Sequence, residues 1–289
     1  MLQAPQIAAA AGAELRDVVR AEIPEADRSG GQNLQEVANA LWETDGFAVQ
    51  VNSTGYIQYV DPETLIALAT EKNLVIRLLH KPGHFVRRDM AVALVWPAGR
   101  VDDDLEQQIH QAFRLGHTRT PTQDVAYAVN QLVEMAVRAM SAAINDPFTA
   151  MTCLDYIGES LAVFVRQGEK DPYFYDQNGR LRLTFEPVTV EELFSNAFDM
   201  LRHCSSDNAC VLQQMLKVID TISHEAVSPV EKAGKIDSYS NKVRQALTRQ
   251  VRLIQAESQA GKLIEQDREL IQRSSETLIM KLSTEEDRG

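Results

Sequence analysis

The sequence predicts an α+β protein that is mostly helical, with a small N-terminal β-domain and a C-terminal helical bundle that contains one β-hairpin. Residues 47–60 alternate apolar and polar side chains around a Ser-Thr-Gly turn, which is the pattern of two paired strands. Much of the chain after residue 101 instead repeats apolar side chains every three or four residues, as amphipathic helices do. We therefore expect three regions: 1–46 as a helix and linker, 47–100 as the β-domain with one inserted helix, and 101–289 as the bundle with a hairpin at 173–186.

The N-terminal part begins with a predicted helix at 2–22, and residues 25–32 are a linker by composition. In the β-domain, the segment KPGHFVRRDMAVALV resembles the turn-and-strand pattern of barrel-sandwich domains such as biotinyl or lipoyl carriers. It lacks a lysine at a hairpin tip in the expected context, so no covalent cofactor is predicted. His80 and His84 are four residues apart across a Pro-Gly turn. Ordinary turn positions explain them better than a metal pair, which would need a third ligand.

The composition argues against several classes of function. The 289-residue chain is 44% hydrophobic and 24% charged, with a net charge of −12 and a pI near 5.0. A nucleic-acid surface needs clustered Lys and Arg, so no nucleic-acid partner is predicted. Cys153, Cys204 and Cys210 show no metal-ligand spacing, and their odd number favours a reducing compartment. We find no run of about 18 apolar residues and no signal peptide, so no bilayer span is expected in this chain.

Three consecutive acids, beginning at Asp102, precede the next predicted helix. Acidic side chains at a helix N-terminus interact favourably with the helix dipole, so capping explains them. They lack the glycine and the ligand spacing of a calcium-binding loop. The helix is expected to run to about Leu115 and to end at Gly116.

Residues 117–160 contain two predicted apolar helices with polar residues in unexpected places. Thr120-Pro121 has the hydroxyl and the proline of a helix start, and the first helix is expected to run from Gln123 to Met140. The second starts at Asn145-Asp146-Pro147, with Asn145 or Asp146 as the cap and Thr149 close enough to share the capping. Polar side chains recur every three or four residues and so line one face of the first helix: Gln123, Tyr127, Asn130, Glu134 and Arg138.

These polar side chains have two interpretations. In the first, they form a buried hydrogen-bonded network that fixes the register of the helices, because buried polar groups must be paired. In the second, they bind a ligand or an ion together with the free N–H groups at the start of the second helix, which attract anions. No metal ligand is predicted. The candidate ligand-binding residues are Arg119, Gln123, Asp124, Asn130, Glu134, Arg138, Asn145, Asp146 and Thr149.

The rest of the chain is predicted to be helical apart from the hairpin. Asn178-Gly179, between YFYDQ and RLRLTFE, is a strong signal for a two-residue hairpin turn. Thr189 and Glu192 form a capping box that opens a helix ending near Cys204. Three further helices are predicted at 207–225, from Ser228-Pro229 to about Glu257, and at 262–282.

Two motifs of the central stretch carry a resemblance to a known family. RTPTQD at Arg119–Asp124 and QLVEMAVRAMSAAINDPFTAMTCLD at Gln131–Asp155 resemble the signature of a bacterial membrane-protein family called domain of unknown function 2254. Ala142 stands where that family more often has proline. Three shorter segments also resemble it, the last more weakly: Gly55–Gln58, Lys81–Val86 and Ser205–Asn208.

The resemblance covers most of residues 3–225 and implies a soluble region that follows membrane-spanning helices. Residues 1–46 would then be membrane-proximal, and the chain is expected to begin just after the last span. The implied partner is the protein's own transmembrane segment, absent from this chain. The implied location is the inner membrane, with this region on the cytoplasmic side. The resemblance implies no reaction.

The favoured hypothesis is a cytosolic regulatory or assembly domain of a channel-, transporter- or sensor-like membrane protein. It would be a homo-oligomer and could bind a small ion or metabolite at the Asn-Asp-Pro turn. One alternative is a hydrolase that uses Asp124, Asp146 and His117, and another is a purely structural oligomerisation domain. The chain lacks the usual nucleophile, metalloprotease and phosphate-loop motifs, so no catalytic residue is predicted. Cys153 is expected to be a core residue.

Overall fold

The computed structural model describes residues 4–21, 46–226 and 236–284, which divide into two compact units. The helical unit contains the described residues of 1–21, 125–169 and 188–289, and the β unit contains those of 22–124 and 170–187. The described residues are mostly helical with some sheet, so the predicted α+β class is confirmed. The predicted linker at 25–32 and the predicted helix start at Ser228-Pro229 lie outside the described residues.

The described part of the β unit contains a five-stranded and a three-stranded sheet, with two α-helices and a short 3-10 helix at Ala98–Arg100. Alternate apolar residues of its strands, such as Ile57, Ile76 and Val95, are fully buried in a common core. The barrel-sandwich likeness of this unit stays a prediction. The five-stranded sheet has the order β1 (Phe47–Gln50), β5 (Ala91–Trp96), β3 (Val75–Leu78), β8 (Leu181–Thr184), β7 (Tyr173–Tyr175). The three-stranded sheet has the order β4 (Phe85–Val86), β2 (Gly55–Val60), β6 (Phe113–Gly116), and the α-helices are α2 (Pro62–Glu71) and α3 (Asp103–Gln111).

The β7–β8 hairpin belongs to the β unit, which corrects its predicted place at 173–186 within the helical bundle. Strand β8 pairs in parallel with β3, and Ile76 is the partner of Leu183. The buried Arg182 on β8 donates to the carbonyl oxygens of Ala69 and Leu74, which ties the hairpin to the end of α2. This pairing joins segments about a hundred residues apart, so no local pattern could reveal it.

The helix that follows Asp102 is shorter than predicted. Asp102 caps it, because its side chain accepts a hydrogen bond from the backbone N–H of Leu105. The helix ends at Gln111, whereas the sequence predicted it to about Leu115. Residues 113–116 instead form β6, which is antiparallel to β2. Pairing with β2 is therefore more favourable than continuation of the helix. The predicted boundary between the β-domain and the bundle, at residue 101, moves to a point after β6.

The helical unit has a core of apolar side chains from all its described helices. Thr189 caps α6 by accepting from the N–H of Glu192, as the capping-box motif predicted. Helix α4 begins at Val125, two residues later than predicted, so Gln123 precedes it. The helices of this unit are α1 (Ala4–Ala21), α4 (Val125–Ala139), α5 (Pro147–Gln167), α6 (Val190–Cys204), α7 (Ala209–Ala226), α8 (Ile236–Ala260) and α9 (Glu265–Thr284).

Contacts between side chains define the directions of these helices. Arg16 on α1 donates to Glu159 on α5 at 2.9 Å, and the glycine at position 12 packs against Tyr156, so these two helices are parallel. The same argument makes α5 parallel to α7, since Asp155 contacts Gln214 and Arg166 contacts Glu225. Helix α9 is parallel to α7 because Gln213 contacts Ser274 and Asp220 contacts Lys281.

One end of the helical unit therefore collects three turns and the beginning of α1. The α8–α9 turn lies beside the α6–α7 turn, because the N–H of Lys262 donates to Asp207 at 2.7 Å and a Cβ on Gly261 would collide with the Ser206 carbonyl. We call this end the turn end. It comprises Ala4–Ile7 and the turns at 140–148, 205–208 and 261–264.

Helix α5 is long and apolar enough to cross a membrane, judged by length and composition alone, with a mean hydropathy of 1.3 over its most apolar stretch. This qualifies the expectation that no segment could span a bilayer. However, 61% of that stretch is buried among the other helices, and core helices can be equally long and apolar. It is therefore weak evidence for a span.

Candidate functional site

The polar cluster of the β unit is centred on an ion pair whose carboxylate is buried. Arg119 Nε donates to Asp124 Oδ2 at 2.8 Å and Arg119 Nη2 donates to Oδ1 at 2.9 Å. The Asp124 side chain is only 4% exposed, and two parallel N–H···O contacts to a buried carboxylate are strong and directional. The pair therefore fixes the RTPTQD segment as a tight loop ahead of α4.

The turn at Lys81–His84 closes over this ion pair. Gly83 has φ +89°, and a Cβ on it would lie 2.0 Å from Asp124 Oδ2. The turn is held on β2, because the N–H of Gly83 donates to the carbonyl of Ile57 and the N–H of Ile57 donates to the carbonyl of His84. Only glycine has both the backbone conformation and the absence of a side chain that this approach requires.

Two glutamines join the same loop to β2. The Gln123 side chain accepts from the N–H of Val60 at 2.9 Å and donates to its carbonyl at 3.0 Å, so it satisfies both backbone groups at the strand end. Gln58 donates to the carbonyl of Thr118 at 2.8 Å, over the glycine at 116. Three segments that carry the family resemblance thus interlock in one unit. The sequence analysis singled out Arg119, Gln123 and Asp124, and it missed Gln58 and Gly83.

His80 and His84 lie side by side at the same turn, with their Nδ1 atoms 3.5 Å apart and their ring centroids 5.7 Å apart. One imidazole can donate to the other, with the direction set by the tautomer. Across the described ranges, no group of three or more His, Cys, Asp or Glu side chains is arranged to hold a metal ion. The two histidines contact each other within the turn.

The second polar cluster is the α4–α5 turn of the helical unit. Asp146 caps α5, because its Oδ1 accepts from the Thr149 N–H at 3.1 Å and its Oδ2 accepts from the Thr149 hydroxyl at 2.6 Å. Asn145 instead has φ +49°, so of the two predicted caps Asp146 is the one used. These hydrogen bonds, the hydroxyl first, hold the pKa of Asp146 below its ordinary value, since they favour the charged form.

Backbone hydrogen bonds make this turn rigid. The N–H of Asp146 donates to the carbonyl of Ala139 at 2.8 Å, which joins the end of one helix to the start of the next. The N–H groups of Ile144 and Asn145 both donate to the carbonyl of Ser141. The Ser-Ala-Ala-Ile-Asn-Asp-Pro sequence thus specifies the shape of a helix–helix connection.

The remaining candidates on α4 do not form a buried network. Glu134 and Arg138 form an ion pair with each other, and both side chains are largely exposed to solvent. The expectation that they point inward is wrong for these two residues. Asn130 is half-buried and Thr149 is buried beside its capping partner. Leu132, Val133 and Ala136 bury the opposite side of α4, so its polar side chains mark the solvent face.

The hydrolase hypothesis gains no support from these positions. The carboxylates of Asp124 and Asp146 each accept two hydrogen bonds from neighbouring groups, so each has a structural partner. His117 is exposed in a loop of the β unit. Cys153 is fully buried, and desolvation raises the pKa of its thiol to about 11, so it remains a neutral core side chain.

Comparison with known proteins identifies the class of this chain. A family model described as a predicted membrane protein, DUF2254, matches residues 1–221. The chain belongs to this family of predicted membrane proteins. Among its relatives are uncharacterized proteins from Mycobacterium bovis and Mycobacterium tuberculosis, each 24% identical over 180 residues. The match covers 61% of this chain and 34% of each relative, so it spans about a third of their length. No solved structure matches the chain.

Proposed function

We propose that this chain is a regulatory and assembly region of an integral membrane protein of the channel, transporter or sensor type. It acts on the cytoplasmic side of the inner membrane, as a homo-oligomer, together with the protein's own transmembrane segment. The observation that carries the proposal is that the two signature carboxylates, Asp124 and Asp146, are both engaged in structural contacts. In a family of predicted membrane proteins, this pattern favours a scaffold over a catalyst.

Native mass spectrometry of the purified chain tests this proposal directly, because one spectrum reports the number of subunits and any retained small molecule. We expect a symmetric oligomer. A chain that stays monomeric at high micromolar concentration would contradict the assembly role. Expression of this region with its membrane segment, followed by ion-flux measurements, then tests regulation.

A ligand at the α4–α5 turn would have to use Asn145, whose side chain is exposed beside the rigid backbone. Two substitutions separate that role from a backbone role. Asn145→Gly keeps the positive φ without strain and removes the amide, whereas Asn145→Ala removes the amide and strains the backbone. If the amide binds a ligand, both variants lose the retained molecule in native mass spectra. If only the backbone matters, Asn145→Gly behaves like the parent chain.

A further inference from the structure

Exposed apolar side chains of the helical unit gather at the turn end. Within the described residues of this unit, seven large apolar side chains are exposed, and of these only Met280 lies more than about two helical turns from the turn end. Scattered apolar exposure is normal on a protein surface, but a group at one end of a bundle indicates a contact surface. The other six stand in the turns or within about two helical turns of them: Ile7, Ile144, Phe148, Met200, Ile264 and Leu270.

The hydrogen bonds between parallel helices also fix the heights of these side chains along the bundle. Counted from those contacts, Ile7 on α1 and Leu270 on α9 are both level with Ala150 on α5. Phe148 precedes Ala150 by two residues, and Ile264 precedes Leu270 by six. At a rise of about 1.5 Å per residue, these four side chains lie in a layer about 10 Å thick.

The part of this layer formed by α1 and the α4–α5 turn is almost free of charge. No charged residue occurs from Ala4 to Ala13, and from Ala139 to Leu154 the only one is Asp146, whose carboxylate is bound by Thr149. The chain as a whole has a net charge of −12. A surface without charge on an acidic protein is suited to a neutral apolar partner and not to a charged one.

Two of the exposed apolar side chains stand on the rigid α4–α5 turn. Phe148 is 75% exposed and Ile144 is 60% exposed, while the backbone around them is fixed by the hydrogen bonds to Ser141 and Ala139. A backbone that is already ordered loses little conformational entropy when a partner buries the side chains that it carries. The turn therefore presents a preformed apolar tip.

We propose that the part of the turn end formed by α1 and the α4–α5 turn docks on a lipid bilayer and inserts Phe148, Ile144 and Ile7 among neutral lipid headgroups. The side chains stand on separate helix ends in one layer, and a fluid bilayer can bury them without a matching groove. The thickness of the layer fits the depth of about 5–10 Å that interfacial apolar faces reach in membranes. The description of the family as predicted membrane proteins supports a bilayer as the partner.

Binding of the purified chain to vesicles of phosphatidylcholine alone tests this inference, with flotation to measure the partition coefficient. Because burial of an aromatic side chain and a branched one drives insertion, the double variant Phe148→Ser, Ile144→Ser should bind at least about tenfold more weakly. Phe148→Trp should bind as well as the parent chain or better, because Trp is favoured at membrane interfaces. Its emission should shift to the blue when vesicles are added.

Met280→Ser is the matched control, since Met280 is 67% exposed on the same unit away from the turn end. It should leave vesicle binding unchanged, and added salt should not release the chain. Absence of binding by the parent chain, or equal losses in the control and the double variant, would overturn the inference. So would a double variant that only dissociates an oligomer, because the surface would then join two copies. These outcomes are independent of the subunit count that tests the regulatory proposal.

Discussion

The two polar clusters of this protein use their carboxylates in opposite ways. Asp124, in the β unit, is buried and paired with Arg119, and Gly83 of another loop packs against this pair. Asp146, in the helical unit, is bonded to a threonine three residues ahead in an exposed turn. The first joins segments distant in sequence, and the second shapes a local connection. The signature of one family therefore contains two contacts of different kinds, which we call joints. The buried joint at Asp124 holds a unit together, and the exposed joint at Asp146 presents a surface.

The largest loss of stability should come from a methyl group placed at the buried joint. Gly83→Ala adds a Cβ 2.0 Å from Asp124 Oδ2 and also strains a φ of +89°. Together, strain and overpacking should lower the free energy of unfolding by about 3 kcal/mol, measured by urea denaturation. Gly179→Ala is the control, because its φ is +73° but nothing lies within 4 Å of its Cβ position. It should lose only the strain component. Equal losses in both variants would contradict the close approach.

Removal of the charge at the buried joint should have the next largest effect. Asp124→Asn keeps the shape but cannot accept both guanidinium hydrogen bonds of Arg119. We expect a loss of about 2 kcal/mol in unfolding free energy, because a charged hydrogen-bonded group loses its partner. Denaturation of Asp124→Asn alongside Asp146→Asn gives the direct comparison. A larger loss in the second variant would reverse the ranking of the two joints.

The exposed joint should be sensitive to pH. The pKa of Asp146 is lowered in the folded state, so its ionised form adds stability above the ordinary carboxyl pKa of roughly 3.9, and that stability disappears as the pH falls through the lower folded value. Asp146→Ala should cost about 1 kcal/mol at neutral pH, as loss of an N-cap does. Asp146→Asn should keep most of the cap. Thermal denaturation from pH 2 to 7 should then show a smaller acid-range slope for Asn than for the parent chain.

The contrast between the joints also explains what the sequence could reveal. The start of α5 was predictable, since a capping residue, the proline and the threonine lie within four residues, although the sequence left the choice between Asn145 and Asp146 open. The role of Gly83 was not, because it depends on a carboxylate 41 residues further along the chain. The placement of the β7–β8 hairpin was missed for the same reason, as its partner strand β3 is about a hundred residues away. Local chemistry can be read from neighbouring residues, whereas contacts between distant segments require the fold.

The α4 stripe shows where a periodic pattern misleads. Polar side chains at helical spacing occur on a buried network and on a solvent face alike, and in this helix Glu134 and Arg138 stand on the solvent face. Their pairing should therefore contribute little. A double-mutant cycle with Glu134→Gln and Arg138→Gln should give a coupling energy below about 0.5 kcal/mol, decreasing with added salt. A coupling above about 2 kcal/mol that persists at high salt would instead show that the pair is shielded from water when copies of the chain assemble.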